Sequence, residues 1–259
     1  MDPTALPRFA ELTAPAAWQS VEFISDLHLQ AAEARTFEAW RRYTASSRAD
    51  ALFILGDLFE VWVGDDLIDE PGFAADCASV LQAAAQRMPV FVMHGNRDFL
   101  MGDGLMRTCG ATLLDDPTVF TFGGARWLLT HGDALCISDT NYMKFRAQVR
   151  DAAYQRAFLA KPLEERMAIG RAMRAESESR KAGGPRPDYG TVDDALAAQW
   201  MEAADARTMI HGHTHQPREH DLGRGLTRIV LSDWDAHATP PRCEVLRVDV
   251  WGAQRVFLA

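Results

Sequence analysis

A chain of 259 residues with 47% hydrophobic content can bury the core of one large α/β domain or two small ones, and its net charge of −9 argues against a general nucleic-acid binder. Cys77, Cys109, Cys136 and Cys243 are widely spaced with no CxxC pair, which excludes a zinc knuckle or a disulfide framework as the organising feature. The first twenty residues lack the basic start and apolar core of a signal peptide and no run approaches the roughly 18 apolar residues of a membrane span, so a cytoplasmic protein is expected.

Residues 1–18, rich in Ala and Pro, read as a flexible arm, and 19–259 as one domain. The first strand, 21–25, runs into Asp26-Leu27-His28. On an extended backbone these two side chains, one residue apart, point the same way and offer a carboxylate and an imidazole to one point. Alone, the pair fits equally well an Asp that caps the next helix and a His that packs.

A helix over 31–47 leads to the apolar run 51–55, which delivers Gly56 and Asp57 into a turn, as where a buried parallel strand ends. A carboxylate at such a centre can bridge two cations. Asp65 and Asp66 are weaker candidates, since acidic loop residues are mostly solvated or capping. After a helix over 72–86 and a strand over 89–93 comes Gly95-Asn96-Arg97-Asp98. The Asn carbonyl is a neutral ligand, the guanidinium a planar fork for phosphate oxygens, and Asp98 is placed to orient a neighbouring histidine. Strands at 120–122 and 126–130 flank Gly123-Gly124 as a hairpin leading into His131, which implies a mixed sheet.

Residues 141–181 read as helical, divided at Pro162. Periodicity alone favours an ordinary packed layer. Yet residues 144–186 hold eleven Lys or Arg against five Asp or Glu, a local +6 on an acidic chain, and they interrupt the series of strand-end motifs. That combination fits a lid over a substrate with anionic and apolar parts. A helix over 194–203 and a strand over 208–210 precede Gly212-His213-Thr214-His215, whose two imidazoles alternate as Asp26 and His28 do. Two more strands, 226–231 and 245–250, are expected to close a second sheet.

Asp26, His28, Asp57, Asn96, His131, His213 and His215 form an oxygen and nitrogen donor set without Cys, suited to Mn²⁺, Fe²⁺ or Zn²⁺. Seven ligands with one bridging carboxylate divide into two cations, and a water activated there is the most economical nucleophile in a chain with no triad and no P-loop.

Asp-x-His, Gly-Asp, Gly-Asn-Arg-Asp, a lone His and Gly-His-x-His, in this order from about residue 21, resemble the calcineurin-type metallophosphoesterase superfamily. The resemblance implies an α/β fold of two facing mixed β-sheets flanked by helices, a four-layer sandwich, with a helical lid insertion at about 139–187. One metal would be held by Asp26, His28, Asp57 and His215, the other by Asp57, Asn96, His131 and His213. Residues 56–66 (GDLFEVWVGDD), 94–100 (HGNRDFL), 131–136 (HGDALC) and 173–175 (MRA) are most similar to the UDP-2,3-diacylglucosamine diphosphatases of lipid A biosynthesis. That likeness implies two Mn²⁺ per chain, attack of water on the uridine-side phosphorus to give UMP and 2,3-diacylglucosamine 1-phosphate, and peripheral association with the cytoplasmic face of the inner membrane. Asp57, Asn96, Arg97 and His131 would be catalytic, and Asn96, Arg97, Asp139, Ser177, Lys181 and His213 would contact substrate. At 180–184 the sequence Arg-Lys-Ala-Gly-Gly lacks the family's amide-plus-lysine spacing, and Lys181 is the nearest match. The alternative is another phosphoesterase of this superfamily, acting on nucleotides or phosphoproteins.

Overall fold

The computed structural model describes residues 4–181 and 190–258, with the side chains of 176–181 outside the description. Near the N-terminus β1 (Ala10–Thr13) precedes β2 (Ser20–Ile24), α1 (Ala34–Ser46), β3 (Ala51–Leu55), α2 (Phe73–Ala85), β4 (Val90–Met93), α3 (Asp103–Cys109) and β5 (Thr112–Leu114). Strands β2 to β5 are successive parallel neighbours, the outcome expected of strand and helix in alternation. An antiparallel pair, β11 (Glu244–Asp249) and β12 (Gly252–Phe257), extends that sheet beyond β2.

The second sheet contains β6 (Thr118–Phe122), β7 (Ala125–Leu129), β8 (Thr208–His211), β9 (Arg218–Asp221) and β10 (Thr227–Val230), in the order β1-β6-β7-β8-β10-β9. Strands β6 and β7 form the expected hairpin, while β7 and β8 run parallel, so this sheet too is mixed. Between β7 and β8 the chain makes α4 (Thr140–Val149), α5 (Ala152–Leu159), α6 (Leu163–Lys181) and α7 (Asp194–Ala203).

Period-two alternation sorts each central strand between two cores. In β3, Phe53 and Leu55 face the other sheet and join Phe23, Phe91 and Phe120. Leu52 and Ile54 face α1 to α3 and meet Trp40, Leu81 and Leu105. A third core lies behind the second sheet, where Met209 and Leu128 pack on Leu196, Trp200 and Met201 of α7. The molecule is the expected four-layer stack of helices, two facing mixed sheets and helices.

Three expectations need correction. The stretch 1–18 is not without regular structure, because β1 lies within it, pairs in parallel with β6 and packs Leu12 on the central core. The strands expected at 226–231 and 245–250 do not share a sheet: β10 pairs with β8 and β11 with β2. The helical stretch 141–181 breaks at Asp151 as well as before Leu163, since the Asp151 carboxylate accepts the backbone N–H of Tyr154 and starts a new helix.

Candidate metal centre

The loops that follow β2, β3, β4, β7 and β8 meet where the two sheets are open at their ends. Asp26, His28, Asp57, His213 and His215 all have left-handed backbone conformation, with φ of 54°, 49°, 51°, 66° and 52°. For non-glycine residues this region is sparsely populated, and strain of this kind gathers at functional sites. Asp26 and His28 thus point to one place through two left-handed turns, not through the expected alternation along an extended strand.

Two groups of donors result. In the first, the Nε2 atoms of His28 and His215 lie 3.2 Å apart, and Asp26 Oδ1 is 3.4 Å from His215 Nε2 and 4.0 Å from His28 Nε2. In the second, Asn96 Oδ1 is 3.1 Å from His131 Nε2 and 2.9 Å from His213 Nδ1. Asp57 stands between them. Its Oδ1 is 3.8 Å from His131 Nε2, and its Oδ2 is 4.0 Å from His28 Nε2. All seven candidate ligands are therefore brought together, and the shared carboxylate turns one oxygen to each group.

The protonation pattern suits cations. Burial, with His215 and Arg97 nearby, drives His28 well below the ordinary imidazole range. Burial, with His131 beside it, takes His213 down to about 3. Burial also opposes the charge on His131, but Asp57, Asp26 and Asp133 outweigh it and push that ring up to about 9. Asp57 is raised by its burial and by Asp26, against the pull of His131 and Arg97. Asp26 is held well below the carboxylate range, because the hydrogen bond and charge of His215, with His131 and His28, exceed the cost of its burial. Neutral imidazoles at His28 and His213, a proton on His131 that a cation would displace, and dry carboxylates at these spacings fit divalent metal: two ring nitrogens facing at 3.2 Å need a proton or a cation between them.

The surroundings fix these groups. His131 Nδ1 donates to the Leu55 carbonyl at 2.9 Å, so Nε2 is the ring nitrogen that faces Asp57. Asp26 accepts the hydroxyl of Ser25 at 2.6 Å and the N–H of His213 at 2.9 Å. Gly95 permits the closest approach, since a Cβ there would collide with the Asp57 carboxylate and backbone. Asp98 does not orient a histidine as expected. It accepts backbone N–H groups from Leu58 at 2.7 Å and Gly95 at 2.8 Å, tying the loops after β3 and β4, and burial with the Asp57 charge pushes it up to about 6. Asp65 and Asp66 are structural: Asp65 accepts from Trp62 Nε1 and from the N–H groups of Gly102 and Leu105, and Asp66 pairs with Arg166.

Arg97 lies beside Asp57, its backbone N–H donating to Oδ1 at 2.9 Å and its side-chain Nε 3.7 Å from Oδ2. That buried Nε has no hydrogen-bond acceptor among the described residues. Asp139 is exposed and caps α4 by accepting the N–H of Tyr142, outside both donor groups. The side chains of Ser177 and Lys181, in the last turns of α6, lie outside the described residues.

Four arginines of the basic helical segment turn toward the core. Arg146 donates to Asp133 at 2.8 Å and Arg150 to the Gly95 carbonyl at 2.9 Å. Arg166 reaches the Val63 carbonyl and Asp66, and Arg174 meets Glu60. Tyr142 adds a 2.5 Å bond to Asp133, two residues from His131, and its ring lies 5.9 Å from that of His213. Part of the local +6 is thus consumed by tethers that hold α4 and α6 across the donor groups. Glu60 and Asp133 lie within the motif stretches and Tyr142 and Arg146 within the helical segment, but their spacing from the ligands has no periodic signature, and only the tertiary contacts reveal what they touch.

Comparison with known proteins now bears on this geometry. The family model of the calcineurin-like phosphoesterases matches residues 21–217. A UDP-2,3-diacylglucosamine hydrolase of Chromobacterium violaceum is 46% identical over 83% of this chain and 90% of its own. Another, from Xanthomonas axonopodis pv. citri, is 45% identical over 92% of this chain and 98% of its own. Among solved structures, an archaeal phosphodiesterase superposes with a TM-score of 0.48 at 11% identity, covering 92% of this chain and 99% of that one. With a family match spanning all five motif loops and relatives that align along nearly the whole chain, this protein belongs to the calcineurin-like phosphoesterase family and, within it, to the UDP-2,3-diacylglucosamine hydrolases.

Proposed function

We propose that this chain hydrolyses the diphosphate of UDP-2,3-diacylglucosamine to UMP and 2,3-diacylglucosamine 1-phosphate, as a step of lipid A biosynthesis. The observation that carries the reading is the similarity, along most of both chains, to relatives named for that hydrolysis. The two donor groups joined at Asp57 support the chemistry. One cation would be held by Asp26, His28, Asp57 and His215 and a second by Asp57, Asn96, His131 and His213, with Mn²⁺ the proposed metal for an oxygen and nitrogen set. Bound there, the pair supplies Lewis acidity toward a water nucleophile and the phosphoryl oxygens.

The chain's own residues orient the substrate. Arg97 is held beside Asp57, and its buried Nε–H, which has no acceptor among the described residues, is a donor for a phosphoryl oxygen. Asn96, between His131 and His213, uses its carbonyl toward the donor group, which leaves its amide N–H groups for the diphosphate. Water attacks the uridine-side phosphorus, the bridging P–O bond breaks, and the sugar 1-phosphate leaves. Residues 139–187, including α4 to α6, act as the lid. Asp139 at its entrance and Ser177, Lys181 and His213 are proposed as further substrate contacts. The half-buried Phe145 and Met173 are proposed to meet the acyl chains, and the remaining cations of the segment an anionic membrane surface at which the protein is peripheral. No helix among the described residues is long and apolar enough to cross a membrane.

The test is a product assay with Mn²⁺ and UDP-2,3-diacylglucosamine in detergent, run in water enriched in heavy oxygen. UMP with one labelled oxygen and an unlabelled sugar phosphate is the expected result. Label in the sugar phosphate would overturn the site of attack, and hydrolysis of soluble nucleotides without turnover of the lipid would overturn the substrate. Phe145→Ser with Met173→Ser is expected to raise KM for the diacylated substrate roughly tenfold, from apolar contacts of about 1.4 kcal/mol, while a short soluble diphosphate ester is cleaved as before. Equal losses on both substrates would assign these residues to packing alone.

A further inference from the structure

Glu60 stands three residues beyond Asp57 in the loop after β3 and is 6% exposed. Its two oxygens face different parts of the site. Oε2 lies 3.1 Å from Nδ1 of His28, approached obliquely rather than as an aligned hydrogen bond. Oε1 lies 3.2 Å from Nη1 of Arg97 and also meets Nε of Arg174 from α6. A carboxylate withdrawn from water is costly unless charged partners surround it. Here the partners are a member of the first donor group, the guanidinium beside Asp57 and an arginine of the helical cover.

We infer that Glu60 is a positioning residue that aligns His28 with one oxygen and Arg97 with the other, and that ties Arg97 to the lid through Arg174. For the substrate this rests on the hydrolysis proposed above; for the metal it does not. Negative charge beside Nδ1 favours the His28 tautomer with its hydrogen there, which leaves Nε2 as the lone pair directed at Asp26 and Asp57. Carboxylates in this relation to a ligating imidazole are worth roughly 10- to 100-fold in metal affinity. Arg97 gains a second fixed point: Asp57 stands 3.7 Å from its Nε and Glu60 3.2 Å from its Nη1, so the plane of the fork is set before an anion arrives. A purely structural Glu60 would only neutralise buried arginines, and its loss would lower stability without touching metal affinity.

The experiment compares wild type, Glu60→Gln and Glu60→Asp. Mn²⁺ affinity is read by titration against the spectroscopic signal of the free ion, and KM and kcat on UDP-2,3-diacylglucosamine are measured with and without Arg174→Ala. In Glu60→Gln one of the two bound Mn²⁺ is expected to weaken 10- to 100-fold, about 1.4 to 2.7 kcal/mol. KM should rise at least tenfold with a smaller change in kcat. Arg174→Ala should raise KM in wild type, raise it far less in the Glu60→Gln background, and leave Mn²⁺ affinity unchanged. Mn²⁺ affinity within twofold of wild type together with additive KM effects would overturn the inference. Should Glu60→Gln fail to fold, Glu60→Asp decides: it keeps the charge but is one methylene too short to reach both sides, so either Mn²⁺ affinity or KM must suffer, and wild-type values of both would overturn it. If wild type leaves the lipid intact, the proposed substrate falls while the Mn²⁺ titration still judges the contact of Glu60 with His28.

Discussion

Replacing Asp57 by Asn is expected to lower hydrolysis on the order of 10³-fold or more, about 4 kcal/mol of activation free energy, and to reduce bound metal in elemental analysis. Asparagine can still accept the N–H of Arg97, which Asp57 takes at 2.9 Å, so the loop after β4 keeps its anchor. What it cannot supply is the negative charge or a second acceptor oxygen. In the native site Oδ1 faces His131 and Oδ2 faces His28, and the two donor groups share no other residue. Charge balance points the same way. His131 and Arg97 both stand against this carboxylate, and without it two positive groups remain buried with less to oppose them. Wild-type turnover in this variant would dismantle the two-cation assignment. Loss of turnover with full metal content would instead restrict Asp57 to a substrate role.

The features that sequence made legible are those that depend on local order. The runs before Asp57, Asn96 and His213 are buried strands that end in polar loops, and such strands are visible because both faces are covered and the whole run is apolar. The donor types were equally visible, since a cluster of Asp, His and Asn without Cys has a limited chemistry. Non-local pairing was not. Strand β1 spans four residues, too few for a period to register, and only its partner β6 makes it a strand. Strands β10 and β11 look alike as apolar runs, and nothing in either marks which sheet it joins. The left-handed turns at Asp26 and His28 were hidden for another reason: neither residue is glycine, so the chain shows no sign of the strain that aims them. Charge counting in the helical segment misled in part, because it cannot tell an arginine facing an anionic partner from one such as Arg146 that pairs with Asp133 inside the protein.

Packing beneath the site sets the second large effect. Phe53→Ala is expected to destabilise the protein by about 3 to 5 kcal/mol, seen as a lower urea midpoint with an unchanged slope. Its ring is fully buried between the sheets, stacked on Phe23 at 4.9 Å and Phe91 at 4.8 Å, with Phe120 at 4.7 Å from the facing sheet. Rings from both sheets hold the cavity open, so collapse recovers little of the loss. A domain with about 5 to 15 kcal/mol in total would retain its fold with a thin margin. The same strand carries Asp57 two residues past its end and presents the Leu55 carbonyl to His131, so loosening β3 also loosens both donor groups. Saturating Mn²⁺ separates the two consequences. A cation that binds only the folded chain returns about 2.7 kcal/mol at a hundred times its Kd, so the Phe53→Ala midpoint should climb on addition of Mn²⁺. The Asp57→Asn midpoint should respond much less. A Phe53→Ala midpoint indifferent to Mn²⁺ would mean that the cavity had already dispersed the ligands, and a midpoint equal to wild type without metal would remove Phe53 from the centre of the core.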